Sequence, residues 1–397
     1  FIPMATISRA ILKTGRDGPV RGGNPWIFSH AIERIEPAGI EPGAMVEVID
    51  ASGAPVGYGY CNPATTIAIR MLAWGERIKP AEIVAHRIGR ALELRRRLIR
   101  SDTDCYRLVN GDGDGLSGVV IDRYADVVVL QLLTAGAERM REAVVANLRQ
   151  MPAPRAIIER SQGAVRKQEA LEDRIEVLEG VATEEVIVRE NGIRLVVSPQ
   201  RGQKTGCFLD QRENRARLAE MAAGARVLDA CCYAGGFALA ALEAGASRVV
   251  GVDTSARALS WARRNLQLNG CAPDAIELIH DEAGKYLAGC HEKFDLIVLD
   301  PPPLARSRKD RVRGEHLYTE LNALAIAALA PGGRLMTFSC SVHFRADDFV
   351  RAVRRAQQIA GRKLRILAHL GAGADHPVLL GHVEGEYLTG LLLADLD

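Results

Sequence analysis

Val227-Leu228-Asp229-Ala230-Cys231-Cys232-Tyr233-Ala234-Gly235-Gly236-Phe237 decides how the rest of this chain is read. It reads as a short apolar strand, a glycine loop, and then the alanine-rich helix Ala238 to Glu243. Glycines let a backbone approach a ligand closely, and a helix N-terminus faces that ligand with unpaired N–H groups. A second strand, Val249-Val250-Gly251-Val252, ends in Asp253. An acidic residue at such a strand end can accept both hydroxyls of a ribose. A third strand brings His280-Asp281, and a fourth, Phe294 to Leu299, ends in Asp300-Pro301-Pro302-Pro303. One glycine loop alone is most often an ordinary turn. Four strand ends in this order are not.

From Arg226 onward strands and helices alternate to the end of the chain, with helices expected at Ala234–Ala244, Ala256–Asn269, Glu282–Cys290, Tyr318–Leu329 and Ala346–Ile359. That alternation predicts an α/β, doubly wound, Rossmann-like sheet whose ligand lies beyond the carboxyl ends of the strands. A fifth strand, Arg334–Phe338, runs into Ser339-Cys340-Ser341, which sets Cys340 in the same cleft as Asp300. Upstream, Gly202 to Arg215 is dense in polar residues at the entry to a helix, with Thr205 or Asp210 as candidate caps. Asn191-Gly192 between two apolar runs signals a tight hairpin.

Further towards the N-terminus, short strands separated by Gly and Pro (Ala5 to Lys13, Met45 to Asp50, Pro55 to Tyr60, Ile67 to Leu72) suggest a small β-barrel. A helix over 80–100, strands at Gly118–Arg123 and Val127–Leu133, a helix over Glu138–Gln150 and a strand at Ala156–Arg160 make a small α/β middle domain. Asn110 to Gly115 is read as a turn and not a calcium loop, because the twelfth position from Asp112 is Arg123. The expected division is 1–76, 77–190 and 191–397.

Of the 397 residues, 48% are hydrophobic and 25% charged, as in an ordinary globular protein. No apolar run is long enough to span a membrane, and Phe1-Ile2-Pro3-Met4 does not open a signal peptide. The eight cysteines show neither C-x-x-C nor metal-ligand spacing, so reduced thiols in a cytoplasmic protein, and no metal, are expected. A net charge of +2 falls short of a dedicated nucleic-acid binder, so RNA contact must rest on local clusters. Two exist: Arg87, Arg90, Arg95, Arg96, Arg97, Arg100 and Arg107; and Arg306, Arg308, Lys309, Arg311 and Arg313. The second follows the Asp-Pro-Pro turn and is expected to meet phosphate.

The loop lacks the G-x-G-x-x-G of a dinucleotide site, and the ordered Asp229, Gly235-Gly236, Asp253, Asp281 and Asp300-Pro-Pro resemble class I S-adenosylmethionine (SAM) methyltransferases. By that resemblance the loop wraps the methionine end, Asp253 holds the ribose and Asp281 faces the adenine. Lys204-Thr205-Gly206, Leu209-Asp210-Gln211-Arg212, Tyr233-x-Gly235-Gly236-Phe237, Phe338-Ser339-Cys340-Ser341 and Asp375-His376-Pro377-Val378 make the resemblance narrower. Together with Pro25-Trp26-Ile27-Phe28 they are similar to the bacterial 23S ribosomal RNA cytosine-5 methyltransferase I family, which carries an N-terminal PUA domain.

That resemblance implies SAM contacts from Phe208, Asp210, Asp229, Tyr233, Gly235, Gly236, Phe237, Asp253, Thr254, Asp281 and Asp300. It implies catalysis by Cys340 with Asp300, Pro301 and Pro302. The chemistry gives a reason: a thiolate adding to C6 of a cytosine makes C5 nucleophilic towards a sulfonium methyl. Asp300 could accept from the N4 amino group or donate to N3, and the base that removes the C5 proton is left open. Pro303, Val342 and Cys207 depart from the family pattern and bear on the target. The implied partner is 23S rRNA, protein-free or in early assembly, with a homodimer left open. Two other readings stand beside it: a SAM-dependent guanine or adenine nitrogen methyltransferase, and a non-catalytic rRNA-binding assembly factor.

Overall fold

The computed structural model describes residues 7–75, 80–151, 154–305, 307–341 and 343–396. They group into two compact units. One holds Phe1–Val188, Val197–Leu209 and Ala374–Gly385; the other holds Arg189–Val196, Asp210–Gly373 and Glu386–Asp397.

The first unit contains two sheets. Six strands lie in the spatial order Trp26–Phe28, Ile67–Trp74, Pro55–Cys61, Ala44–Ile49, Ser8–Leu12, Ile32–Glu36 around a core that includes Leu12, Val46, Val48 and Ile69. Trp26–Phe28 and Ile32–Glu36 were not expected as strands: one is short, and in the other two adjacent charged residues, Glu33 and Arg34, break the apolar-polar alternation that marks a strand. Ala5 and Thr6 of the expected first strand lie outside the described residues. A five-stranded sheet runs Arg174–Gly180, Ala156–Ser161, Val127–Leu132, Val119–Tyr124, Cys105–Asn110, with the helix Pro80–Leu98 in the same unit. Where one helix was expected over 138–150 there are two, Ala135–Arg139 and Arg141–Arg149, and the Thr134 hydroxyl caps the first by accepting from the Ala137 N–H.

The first arginine cluster is not a single cationic face. Arg95 is buried and donates to both Asp114 oxygens, and Arg107 donates to both Asp122 oxygens. Arg87 donates to the Leu72 carbonyl. Arg90, Arg96, Arg97 and Arg100 are exposed, with Glu93 paired to Arg90 and Arg97 and Asp102 paired to Arg100. Charges that deep are retained because they are paired and hydrogen-bonded, so a good part of the cluster is internal structure. The 110–115 loop is a tight turn, and its Asp114 serves Arg95. The segment after Ala374 completes this network. Arg95 donates to the Asp375 carbonyl at 2.7 Å, the Arg107 N–H to Asp375 Oδ2 at 2.8 Å and Asn110 to the Pro377 carbonyl at 3.0 Å. A Cβ on Gly113 would stand 1.8 Å from that Pro377 oxygen, so only glycine fits there.

The second unit carries the doubly wound sheet. Its strands are β1 (Arg226–Ala230), β2 (Arg248–Asp253), β3 (Glu277–His280), β4 (Phe294–Leu299), β5 (Leu329–Ser339), β6 (Leu364–Leu370) and β7 (Thr389–Asp395), in the order β3-β2-β1-β4-β5-β7-β6. Strands β1 to β5 are parallel, and β7 is antiparallel to both its neighbours. Its helices are α1 (Arg212–Ala219), α2 (Gly236–Glu243), α3 (Ala256–Leu268), α4 (Ala283–Gly289), α5 (Arg311–Ala327) and α6 (Ala346–Ile359). Strands buried on both faces must be apolar throughout, and successive residues of β1 do split between two cores: Leu228 packs with Ile297, Tyr318 and Phe349, Val227 with Phe237, Met336 and Phe338. Ala230, Val252, Leu299 and Thr337 are paired across one row of the sheet, so the strand tips beyond them line up. The order reverses between β1 and β4, where a doubly wound sheet opens its crevice.

Two elements are longer than expected. Helix α5 begins at Arg311 rather than at Tyr318, because Gly314 is a packing residue: its missing Cβ would lie 2.8 Å from the Ala305 Cβ. Strand β5 begins at Leu329, and a register shift opposite Phe294–Leu296 accommodates Pro331-Gly332-Gly333. The hairpin turn has Asn191 at φ 49° and Gly192 at φ 83°, the doubly left-handed turn that Asn-Gly favours.

Candidate active site

The glycine loop after β1 owes its shape to backbone conformation. Cys231, Tyr233 and Gly235 all have positive φ, at 70°, 50° and 76°. Left-handed residues alternating with ordinary ones form a concave run of backbone. A Cβ on Gly235 would stand 3.1 Å from the Ala262 Cβ. Asp253, at the end of β2, fixes the loop by accepting from the Tyr233 N–H and the Ser255 N–H, each at 2.8 Å. Thr254 is exposed, and its carbonyl oxygen lies 2.8 Å from His280 Nε2. At the end of β3, Asp281 accepts from the Glu282 N–H and from Lys285; the Glu282 N–H is the main cause holding its carboxyl below the usual range.

Asp229 is buried at the base of the loop. Its Oδ2 accepts from the Ala238 N–H at 2.9 Å, and its Oδ1 has no hydrogen-bond partner. Burial pushes this carboxyl up to about 7, with the nearby Asp300 and Asp253 charges adding to the effect.

Asp300 follows β4 and Cys340 follows β5, the neighbouring strand, and both are half-buried. Cys340 Sγ lies 3.9 Å from the Pro301 carbonyl oxygen, with Pro301 buried and Pro302 exposed. Behind Cys340 a buried knot of hydroxyls holds the strand tip. Ser339 donates to the Tyr318 hydroxyl at 2.9 Å, Tyr318 meets Ser341 Oγ at 3.0 Å, and the Ala305 N–H donates to Ser341 Oγ. Adjacent Cys231 and Cys232 have thiols pushed well up by burial, which keeps them protonated and inert.

The structure thus gathers Asp229, Tyr233, Gly235, Gly236, Phe237, Asp253, Thr254, Asp281, Asp300, Pro301, Pro302 and Cys340 at one end of one sheet. Phe208 belongs to the first unit, where the Lys204 ammonium stands 4.8 Å over its ring. The expected caps are corrected. Asp210 accepts from the Tyr387 hydroxyl at 2.6 Å, Thr205 donates to Asp122 and pairs with Tyr124, and the N-cap position of α1 is Gln211, without a side-chain cap.

Sequence reasoning missed Gln211, Asn214 and Arg215 as site residues. Gln211 donates to Asp300 Oδ2. Arg215 forms a buried, two-pronged ion pair with Glu190, sits 5.7 Å over the Phe237 ring and places its Cδ 3.1 Å from where a Gly236 Cβ would stand. A signal existed: positions 211, 214, 215 and 218 have the spacing of a buried helix face, and three of the four are polar. In the second arginine cluster, Arg306 and the side chain of Arg308 lie outside the described residues, as does Val342. Arg311 is committed to Asp348, while Lys309 and Arg313 are exposed.

A concave run of backbone in the glycine loop, an orphaned acceptor beneath it and a pinned carboxylate at the end of β2 fit SAM. Fold and site define a SAM-dependent methyltransferase. The chain belongs to the S-adenosylmethionine-dependent methyltransferase family, whose model matches residues 84–357. A PUA-like domain matches residues 10–74. Among its relatives is the Ribosomal RNA large subunit methyltransferase I of Erwinia tasmaniensis, 37% identical over 388 residues, 96% of this chain and 98% of that one. The protein of the same name from Aeromonas hydrophila is 39% identical over 389 residues, with the same coverage. In fold the chain is similar to a candidate SAM-dependent methyltransferase from Streptococcus mutans, with a TM-score of 0.82 at 21% identity over 97% of this chain and 99% of that one. A second methyltransferase structure of this fold, solved in complex with SAH, gives 0.84 at 22% identity, with the same coverage. SAM is the cofactor of this chain. No described helix is long and apolar enough to cross a membrane.

Proposed function

We propose that this protein methylates C5 of a cytosine in large-subunit (23S) ribosomal RNA through a covalent Cys340 adduct. The observation that carries the reading is the position of Cys340: a half-buried thiol at the tip of β5, beside the Asp300-Pro301-Pro302 turn of β4. The names of the relatives point to ribosomal RNA as substrate.

When bound, the cofactor supplies an electrophilic methyl on a sulfonium. Asp253 holds the ribose, since each of its oxygens accepts one backbone N–H and keeps capacity for a hydroxyl. Asp229 Oδ1 takes the ammonium of the methionine end, which satisfies an acceptor otherwise buried without a partner. The Cys340 thiolate forms an Sγ–C6 bond, pushing the ring electrons to C5, and C5 bonds the methyl as the sulfonium–methyl bond breaks to leave a neutral thioether. Loss of the C5 proton returns the pair to the ring and expels the Cys340 thiolate. Pro301 and Pro302 stiffen the turn against which a flipped base would rest.

Nucleoside mass spectrometry on unmodified 23S rRNA incubated with SAM tests this. Wild type is expected to make 5-methylcytidine and Cys340→Ala none. A methylated purine made equally by both proteins would replace the thiolate mechanism with nitrogen methylation. No product from either protein would favour the assembly-factor reading.

A further inference from the structure

Asp300 is not left to orient itself. The buried side chain of Gln211 donates from Nε2 to Asp300 Oδ2 at 3.0 Å. Asn214, also buried, donates from Nδ2 to Gln211 Oε1 at 2.6 Å and to the Gly371 carbonyl oxygen at 2.9 Å. The Gly371 contact fixes the sense of the whole relay. A backbone carbonyl only accepts, so the Asn214 atom facing it is the NH2 group. The Gln211 atom facing Asn214 must then be oxygen, and the one facing Asp300 must be NH2. An amide NH2 offers only hydrogens, so Asp300 Oδ2 is held as an acceptor, and a hydrogen bond donated to a carboxylate favours its charged form over the acid that would carry a proton on Oδ1.

We propose that Gln211 is a positioning residue that keeps Asp300 a hydrogen-bond acceptor, so that the site takes a pyrimidine bearing an exocyclic amino group and turns away one bearing a carbonyl there. This rests on the cytosine reading above and decides between the two roles open to Asp300. A carboxylate accepts from the N4 amino group of cytosine, whereas O4 of uracil would face it lone pair to lone pair. A site built around one hydrogen bond rejects the analogue that leaves its buried groups unpaired far more strongly than a shape-only pocket does. Asn214 acts one step further back, by holding Gln211 in the required flip.

Two variants test the proposal. Gln211→Glu keeps the shape but sets a second carboxyl against Asp300, and such a pair shares a proton. Gln211→Met keeps bulk and removes the donor. Each is assayed on transcribed 23S rRNA and on the same transcript with uridine at the modified position, with kcat and KM measured across pH and SAM affinity by calorimetry. Both variants should bind SAM within about twofold of wild type and lose about tenfold or more in kcat on the cytidine transcript, a cost of about 1.4 kcal/mol in the barrier. Gln211→Glu should regain activity as pH falls, where the introduced carboxyl, once protonated, donates to Asp300 as the amide did, and lose it as pH rises. The cytidine-to-uridine preference should narrow in Gln211→Met.

Wild-type kcat, preference and pH profile in Gln211→Met overturn the proposal, whether or not Gln211→Glu folds. So does a loss of SAM affinity equal to the loss of kcat, since that marks a merely structural role. A wild-type enzyme that makes no 5-methylcytidine overturns the function reading instead.

Discussion

Asp229 shows what burial does to a single carboxyl. The group ionises near pH 4 in the unfolded chain and near 7 in the folded one. Below about pH 4 both states hold the proton; between about 4 and 7 only the folded state does; above that neither does, and the fold carries the cost of a buried charge in full. Stability from this group is therefore present at low pH and lost as pH rises through the folded value, and the span converts to about 4 kcal/mol at most. Asp229→Asn, which mimics the protonated form and can still accept from the Ala238 N–H, should melt higher than wild type at pH 8 without cofactor. The gap should close towards pH 5 in cofactor-free thermal melts. A gap that stays constant with pH would mean that Asp229 is already neutral, or already compensated, in the folded chain. The same variant should bind SAM more weakly if Oδ1 takes the ammonium.

At the scale of elements, the tips of β4 and β5 are tied to α5 by one hydroxyl. Tyr318 is fully buried, and burial raises its pKa, so it stays protonated and bridges Ser339 and Ser341 on either side of Cys340. Tyr318→Phe should cost about 1–2 kcal/mol in stability, the usual loss when buried hydroxyls are left unpaired. It should lower kcat while leaving SAM affinity near wild type, since the cofactor loop lies on β1 and β2. An unchanged kcat would reduce the knot to ordinary core packing.

These elements also mark how far the sequence could be read. The order of strands and the acids at their tips were legible, because a doubly buried strand must be apolar and a strand end that turns polar is conspicuous. Gln211 and Asn214 were hidden because their meaning depends on Gly371 and Asp300, which no local pattern brings near them. Arg95 and Arg107 misled for a related reason: a charge count does not reveal whether an acid waits inside the fold. The start of α5 was missed because Gly314 counts as a breaker in sequence and as a contact in space.

Across the described residues many arginines are committed to ion pairs, such as Arg141 with Glu159 and Arg248 with Glu292, and the sequence carries a net charge of only +2. Among the described residues, Lys309 and Arg313 are exposed in the segment that follows the Asp300-Pro301-Pro302 turn. Replacing both with Gln should weaken RNA binding and reduce the slope of log affinity against log salt by about 1.4–1.8, the yield of two phosphate contacts. Arg311→Gln should change the slope less, because its charge is already spent on Asp348. Filter binding across a salt series distinguishes the two, and equal slopes for all three proteins would place the RNA elsewhere.

The insertion of Ala374–Gly385 into the first unit carries a consequence for how the protein is made. The segment lies between β6 and β7, yet Arg95 and the Arg107 N–H rely on Asp375. During synthesis the first unit emerges early and waits, with a guanidinium and a backbone donor short of partners, until every strand of the methyltransferase sheet but β7 has left the ribosome. The part translated first is completed only just before the final strand of the sheet. A ribosome that stalls or terminates inside that sheet would therefore release no finished half.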